Sequence, residues 1–336
     1  MPTEPTISVV VPTHNRANLL PRAIRSVLAQ TFEDFELIVV DDASTDETAS
    51  IVRGLQGRDY RVHYLRHASN QGEAASRNTG IAAAQGEFIA FLDDDDEWLP
   101  RKLEEQLAVF SKSSVQSLGM VYCGVIFVDA STRIELGRVP PRERGDLLGN
   151  LLDHDSTLGG GSTALVKRAV FDKCGFFDTA DVLRRGGSPD REMWLRMAYE
   201  YRFDFANDFL MRYYFRSGAN LTANDLALRD KAEAFEYIMN KHSKLLKDYP
   251  RAASNYLYDI GRLYAFSGMV ARARMYFWDA LRLNASNLKA WVSLGASVLG
   301  PRFYRWAYEK VLPIWGNPDY RAIVRATRPS PGRRQK

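Results

Sequence analysis

The sequence predicts an α/β fold, a mostly parallel sheet flanked by helices, followed by an α-helical extension. Two observations predict it. The first hundred residues alternate short apolar runs with amphipathic stretches, the pattern of strand, helix and strand that builds a parallel sheet. From Leu226 onward helical spacing continues without a strand signal.

The elements follow in order. Ile7 to Val11 is the first strand, Pro12 to Arg16 a polar loop, and Leu19, Leu20, Ala23, Ile24, Val27 and Leu28 recur at helical spacing. Phe35 to Val40 is a second strand, and Thr45 to Leu55 a helix capped by Ser44 or Thr45. Val62 to Leu65, Glu73 to Ala84 and Phe88 to Leu92 give a third strand, a helix and a fourth strand. Ile7-Ser8-Val9-Val10-Val11 and Leu37-Ile38-Val39-Val40 are nearly continuous β-branched runs, as strands covered on both faces require. Between Asp129 and Gly161 periodicity lapses and Pro140, Pro141, Gly145, Gly149 and Gly159-Gly160-Gly161 gather. Mobile loops are expected there, with the triple glycine a flexible hinge.

In the tail, Leu257, Ile260, Gly261, Tyr264, Gly268, Ala273, Phe277 and Ala280 match one tetratricopeptide helix pair. Trp291, Leu294 and Gly295 restart the pattern 34 residues after Leu257. One and a half repeats do not close a core of their own, so this unit is expected to pack on the sheet-bearing part or on another chain.

At 336 residues, with 46% apolar and 26% charged residues, the chain is a globular protein longer than one ordinary domain. A net charge of +4 gives no reason to expect a nucleic-acid partner. Cys123 and Cys174 adjoin apolar residues and read as buried thiols, not a disulfide framework. Met1 to Pro5 shows no secretory pattern, and no window reaches the ~18 apolar residues of a membrane span. A cytoplasmic protein is expected, with a peripheral place at the inner face of the cell membrane as an option.

Parallel sheets bind ligands at the carboxyl ends of their strands. Three polar clusters fall there: Thr13-His14-Asn15-Arg16, Asp41-Asp42, and Asp93 to Asp96. Four adjacent carboxylates repel one another unless a cation or hydrogen bonds compensate. A hard cation such as Mg²⁺ or Mn²⁺ takes carboxylate oxygens and keeps positions open for phosphate. The alternative is a solvated acidic turn before a helix. A carboxylate in the second cluster can accept the imide hydrogen of uracil or bind ribose, while Asp46 and Glu47 read as first-turn acids. The scattered histidines show no zinc spacing, and His63, His67 and His242 are expected on the surface.

Thr6 to Asp46 resembles the opening of the family-2 glycosyltransferases with the GT-A fold. Ala75-Ser76-Arg77-Asn78-Thr79-Gly80 and Phe91 to Trp98 resemble that family's next motifs, in order and spacing. The resemblance implies a Rossmann-like sheet and an inverting, metal-dependent transfer of one sugar from a nucleotide diphosphate donor to an acceptor hydroxyl. Pro12, Thr13 and Asn15 would line the nucleotide pocket, Asp42 would meet the base and Arg77 would lie near the nucleotide. Asp93 would touch ribose or metal, Asp94 belongs to the same donor-binding set, and Asp95 would ligate Mn²⁺ or Mg²⁺; the assignment between Asp94 and Asp95 can slip by one. A looser match, ending in Ser188-Pro189-Asp190-Arg191-Glu192-Met193-Trp194-Leu195-Arg196, places the general base at Asp190, with Glu192 as substitute and a helix cap as the plain alternative.

A UDP-sugar is the favoured donor, and a glycan or lipid-linked molecule the expected acceptor, in assembly of a polysaccharide, glycolipid or glycan of the cell envelope. The implied organisation is a GT-A catalytic domain at 1–220, with a nucleotide-sugar half to about 100 and an acceptor half after it. A helical extension at 221–318 and a basic tail at 319–336, expected to be disordered, complete the chain. Phe303, Tyr304, Trp306, Tyr308 and Trp315 with the basic residues from Arg302 onward read either as a membrane-surface segment or as core packing before a tail.

Other classes fit less well. A dehydrogenase would carry Gly-x-Gly-x-x-Gly after the first strand, where Pro12 to Arg16 stands. A sugar-nucleotide pyrophosphorylase would want a glycine-rich basic loop there. A catalytically silent scaffold binding partners through its tail would not need Asp42, Asp93, Asp95 and Asp190. A processive synthase would carry membrane spans and a Gln-x-x-Arg-Trp segment.

Overall fold

The computed structural model describes residues 4–152, 158–187, 189–215 and 225–310. The expected boundary near 220, the tail at 319–336 and Trp315 lie outside these residues. In chain order, β1 (Ile7–Thr13), α1 (Leu20–Leu28), β2 (Phe35–Asp41), α2 (Thr48–Gln56), β3 (Val62–Arg66), α3 (Glu73–Ala83) and β4 (Phe88–Phe91) form the first half. Its strands lie side by side in the order β3-β2-β1-β4, all parallel. Every residue of β1 and β2 is buried, which is what their β-branched runs require.

Successive side chains of β1 serve opposite faces. Val9 and Val11 pack with Ile24 and Val27 of α1, whereas Val10 packs with Ile81 of α3. The α3 face sits very close to the sheet. A Cβ at Gly80 would come within 2.2 Å of Val10 Cγ1, so only glycine permits this approach. Arg77, on the preceding turn of the same buried stripe, is thereby brought beside Phe91 at the end of β4.

The second half comprises β5 (Glu97–Trp98), α4 (Lys102–Lys112), β6 (Leu118–Asp129), β7 (Glu135–Val139), α5 (Leu148–Leu152), a 3₁₀ turn at Gly161–Thr163, β8 (Leu165–Lys167), α6 (Ala169–Cys174), α7 (Asp181–Gly186), α8 (Pro189–Glu200) and β9 (Arg202–Phe215). The sheet continues β4-β8-β6-β9-β5, with β7 paired to β6. Because β8 is antiparallel to both β4 and β6, and β9 is parallel to β6, the strands β1, β4, β6 and β9 all end on one edge. The molecule is thus a mixed α/β, mostly parallel sheet flanked by helices.

Three local expectations are corrected. The stretch from Asp129 to Gly161 holds β7 and α5; β7 is fully buried only at Val139, so it carries no buried alternation to read. Helix α2 starts at Thr48, and neither Ser44 nor Thr45 caps it. Asp46 instead accepts from the Thr48 amide and hydroxyl and from the Ala17 amide. Cys123 is buried and Cys174 only partly so; both are free.

The extension consists of α9 (Asp225–Lys241), α10 (Ser243–Asp248), α11 (Pro250–Phe266), α12 (Val270–Leu283), α13 (Leu288–Val298) and α14 (Pro301–Lys310). The repeat-like positions Ile260, Tyr264 and Phe277 belong to one buried cluster with Val10, Met193 and Trp194, so these helices complete their core on the sheet-bearing part. No helix among the described residues is long and apolar enough to cross a membrane.

Candidate active site

The loops after β1 and β2 interlock. Pro12 and Thr13 are the buried last residues of β1, paired with Val40 and Asp41. Asn15 is exposed and adopts a left-handed conformation at φ 53°; its amide donates to Ser44 Oγ (2.9 Å) and its side-chain oxygen accepts from the Thr45 amide (2.7 Å). Asp41 accepts from the Ser44 amide at 2.8 Å and the Tyr64 hydroxyl at 2.5 Å. Asp42 accepts from the Gln71 and Gly72 amides, each at 2.7 Å, and from His67 Nδ1 at 2.8 Å. Burial works against the Asp42 charge, but these donors outweigh it and hold the carboxyl below its usual range. His67 is therefore no surface residue: its side chain is 8% exposed, and its other nitrogen meets Thr79 Oγ1.

The acidic run after β4 is divided between two arginines. Arg16 reaches Asp94 and Asp95, both at 2.8 Å, and Thr13 Oγ1 donates to Asp94 at 2.7 Å. Arg77 reaches Asp93 at 2.7 Å. Burial pushes Asp94 up to about 6 and Asp96 well above the ordinary carboxylate range. Asp93 Oδ2 and Asp95 Oδ1 have no partner among the described residues, and the two side chains are 32% and 31% exposed. Their chemistry fits a hard cation, which commonly takes one or two carboxylates and completes its shell with phosphate and water. Among the described residues no three acidic, histidine or cysteine side chains gather into a cage, so phosphate oxygens would be needed.

Arg77 is the hub. It is fully buried yet pairs with Asp93, Asp190 and, at 2.5 Å, Glu73. Asp190 stands in the first turn of α8 and also accepts from the Gly161 amide at 2.9 Å. Burial raises its pKa, Arg77 pulls it down, Asp93 raises it again, and the outcome is a carboxyl above its ordinary value. Arg77 likewise lowers Glu73, but burial with the carboxylates of Asp93, Asp190 and Asp94 prevails and brings it to about 7.

The triple glycine is no hinge. The Ser162 hydroxyl accepts from the Asp93 amide at 3.0 Å, and its carbonyl accepts from Trp98 Nε1 at 2.9 Å. A Cβ on Gly161 would stand 2.8 Å from the Arg77 guanidinium, so this turn is packed against the hub. Asn78 anchors the other motif, its side-chain amide exchanging two 2.8 Å bonds with the backbone of Phe177.

Glu192 is excluded as a substitute base. It is fully buried and points at Arg196 (2.8 Å), Lys241 (2.8 Å) and His242 (3.1 Å). Burial opposes its ionisation, yet these donors overcome it and push the carboxyl down to about 2. His242, expected on the surface, is 10% exposed within this cluster.

The structure thus brings Thr13, Arg77, Asp93, Asp94, Asp95 and Asp190 to one crevice, with Asn15 and Asp42 in the adjoining interlocked loops. Arg16 and Gly161 were not singled out from the sequence. A cation directly after the first strand of a chain bearing four aspartates after the fourth was the available signal for Arg16; the Gly161 amide had none.

The fold is that of a GT-A type α/β protein, a mostly parallel sheet flanked by helices with this site at its strand ends. A profile described as Glycosyl transferase family 2 matches residues 8–175, half of the chain, and the protein belongs to that family. Among curated relatives, the GalNAc(5)-diNAcBac-PP-undecaprenol beta-1,3-glucosyltransferase of Campylobacter jejuni is 50% identical over 96 residues, 28% of this chain and 31% of that one. The putative teichuronic acid biosynthesis glycosyltransferase TuaG of Bacillus subtilis is 39% identical over 111 residues, 33% of this chain and 44% of that one. The chain therefore spans less than half the length of these relatives. Among solved structures, S. aureus TarS 1-349 in complex with UDP-GlcNAc superposes with a TM-score of 0.63 at 17% identity, covering 91% of this chain and 92% of that one. The mannosyltransferase PcManGT from Pyrobaculum calidifontis, in complex with GDP-Man and Mn²⁺, gives 0.57 at 19% identity, covering 97% and 86%. At these identities the likeness shows the shared GT-A fold.

Proposed function

We propose that the protein is an inverting, non-processive glycosyltransferase that moves one sugar from a nucleotide diphosphate, a UDP-sugar by preference, to an acceptor hydroxyl. The acceptor is a glycan or lipid-linked molecule in assembly of a polysaccharide or glycolipid of the cell envelope. The observation that carries this reading is the shared grip of buried Arg77 on Asp93 and Asp190, which joins the acidic loop to the start of α8 in one crevice.

In this reading the loops of Pro12, Thr13, Asn15 and Asp42 seat the nucleotide, with Arg77, Asp93 and Asp94 on the donor side. Asp95, with Asp93, would hold Mn²⁺ or Mg²⁺, which when bound would offset the charge gathering on the departing diphosphate. Asp190 takes the proton of the acceptor hydroxyl as that oxygen bonds the anomeric carbon from the face opposite the diphosphate. The old C–O bond breaks with its electron pair passing to the diphosphate, and the centre inverts. Arg77 keeps Asp190 ionised and aimed, and the Gly161 amide fixes its second oxygen. Residues 1–220 form the catalytic domain and 221–318 its helical extension.

Calorimetric titration with UDP, GDP and dTDP, each with and without Mn²⁺, tests the reading. Metal-dependent binding of one nucleotide, UDP before the others, lost in Asp95→Ala, is expected. Absence of binding by all three would remove it.

A further inference from the structure

On the sheet edge where β6 and β9 end, a cavity of about 610 Å³ is lined by Arg22, Arg133, Arg212, Tyr214, Glu97 and Glu135. It begins one residue beyond the acidic run, and Arg22 donates to the Asp95 carbonyl, so cavity and crevice are neighbours on one edge.

The charges of the cavity do not cancel. Arg212 is matched by Glu97 at 3.2 Å, and Glu135 is taken by Arg138 at 2.8 Å. Arg22 and Arg133 form no ion pair at contact distance among the described residues, although Glu97 and Asp96 act on Arg22 from farther away. Both arginines lie against the ring of Tyr214, with guanidinium carbons 3.7 Å and 4.8 Å from its centroid. Arg22 Nε is buried and bonds to nothing. Arg133 is exposed, so a ligand can reach the pair from solvent.

We infer that this cavity anchors the acceptor through a phosphate monoester, an inference that rests on the glycosyl-transfer reading above. The exposed fork of Arg133, the Arg22 amino group not committed to Asp95, and their double positive charge suit a phosphate carrying about −1.5 to −2. The phosphate sits on the acceptor, because the loops proposed to seat the donor follow β1, β2 and β4, whereas the cavity lies at the ends of β6 and β9 farther along the sheet. Seating it here holds the acceptor next to the crevice and selects phosphate-bearing molecules over neutral sugars.

The test is calorimetric titration of the full chain with glycerol 3-phosphate, with and without saturating UDP and Mn²⁺. Binding that UDP leaves intact is expected, weakened ten- to a hundredfold in Arg133→Gln and less in Arg133→Lys, which keeps the charge but loses the fork. UDP affinity of Arg133→Gln should equal that of the parent, which also shows that the variant is folded. No binding of glycerol phosphate, displacement by UDP, or equal affinity in Arg133→Gln would overturn the assignment. Failure of UDP, GDP and dTDP alike to bind the parent chain would instead remove the glycosyl-transfer reading, while the glycerol phosphate titration still reports on the cavity. Flotation with phosphatidic acid vesicles separates the two sources of the phosphate. Recovery that depends on Arg133 places it on a lipid; retained glycerol phosphate binding without flotation places it on a soluble glycan.

Discussion

The guanidinium of Arg77 on α3 binds the carboxylate of Asp190 on α8, two side chains 113 residues apart in the chain. Arg77 is fully buried, and withdrawing a charge from water is tolerable only with partners of opposite sign. Asp93, Asp190 and Glu73 are those partners, and the bonds to the first two tie the acidic loop and the start of α8 to α3.

Arg77→Lys keeps the charge but not the fork, and one ammonium does not span Asp93 and Asp190 as a guanidinium does. Transfer should fall roughly a hundredfold, about 3 kcal/mol. Asp190 acts as a base only when ionised, and loss of its guanidinium partner raises its pKa further. The acidic limb of the kcat/KM profile should therefore move to higher pH. An unmoved limb would detach Arg77 from the base.

Asp190→Asn removes the proposed proton acceptor but preserves the shape and an oxygen for the Gly161 amide. We expect kcat to fall by about 10²–10⁴, the usual worth of a general base, with nucleotide affinity unchanged. Near-normal turnover would return Asp190 to the role of a helix cap.

Glu192→Gln tests the buried cluster that ties α8 to α9. The shift from an ordinary 4.5 to about 2 corresponds to about 3 kcal/mol of folding stability. Since the folded value lies below the unfolded one, this contribution is complete above pH 4.5 and is lost as the pH falls toward 2. Melting curves across this range should converge for parent and variant at low pH and separate near neutrality. Parallel curves would show that the cluster contributes nothing.

The basic aromatic segment is tested at the two aromatic side chains that α14 leaves in water, Phe303 and Trp306, 37% and 54% exposed. Tyr304 between them is buried against Phe277, so deleting the whole segment would cut into the core. If the segment contacts membranes, Phe303→Ser with Trp306→Ser should reduce flotation with phosphatidylglycerol vesicles several-fold. Equal recovery would leave it as protein surface.

The sequence by itself determined the strand and helix order of the first hundred residues, the helical tail and the family. Those signals are local: buried β-branched runs such as Val9-Val10-Val11, helical periodicity, and polar clusters placed after strands. It also marked Asp93 to Asp96 as chemically unusual, and resemblance to the family pointed to Asp190, which spacing alone reads as a helix cap. Only the tertiary structure decided which partners each carboxylate meets. Glu192 and Asp190 stand two residues apart on one helix, yet the helix turns Glu192 into Lys241 and His242 of the α9 region and Asp190 toward Arg77 and Gly161. A carboxylate's pKa and reach are set by partners brought from distant elements, and no spacing within a single segment encodes them.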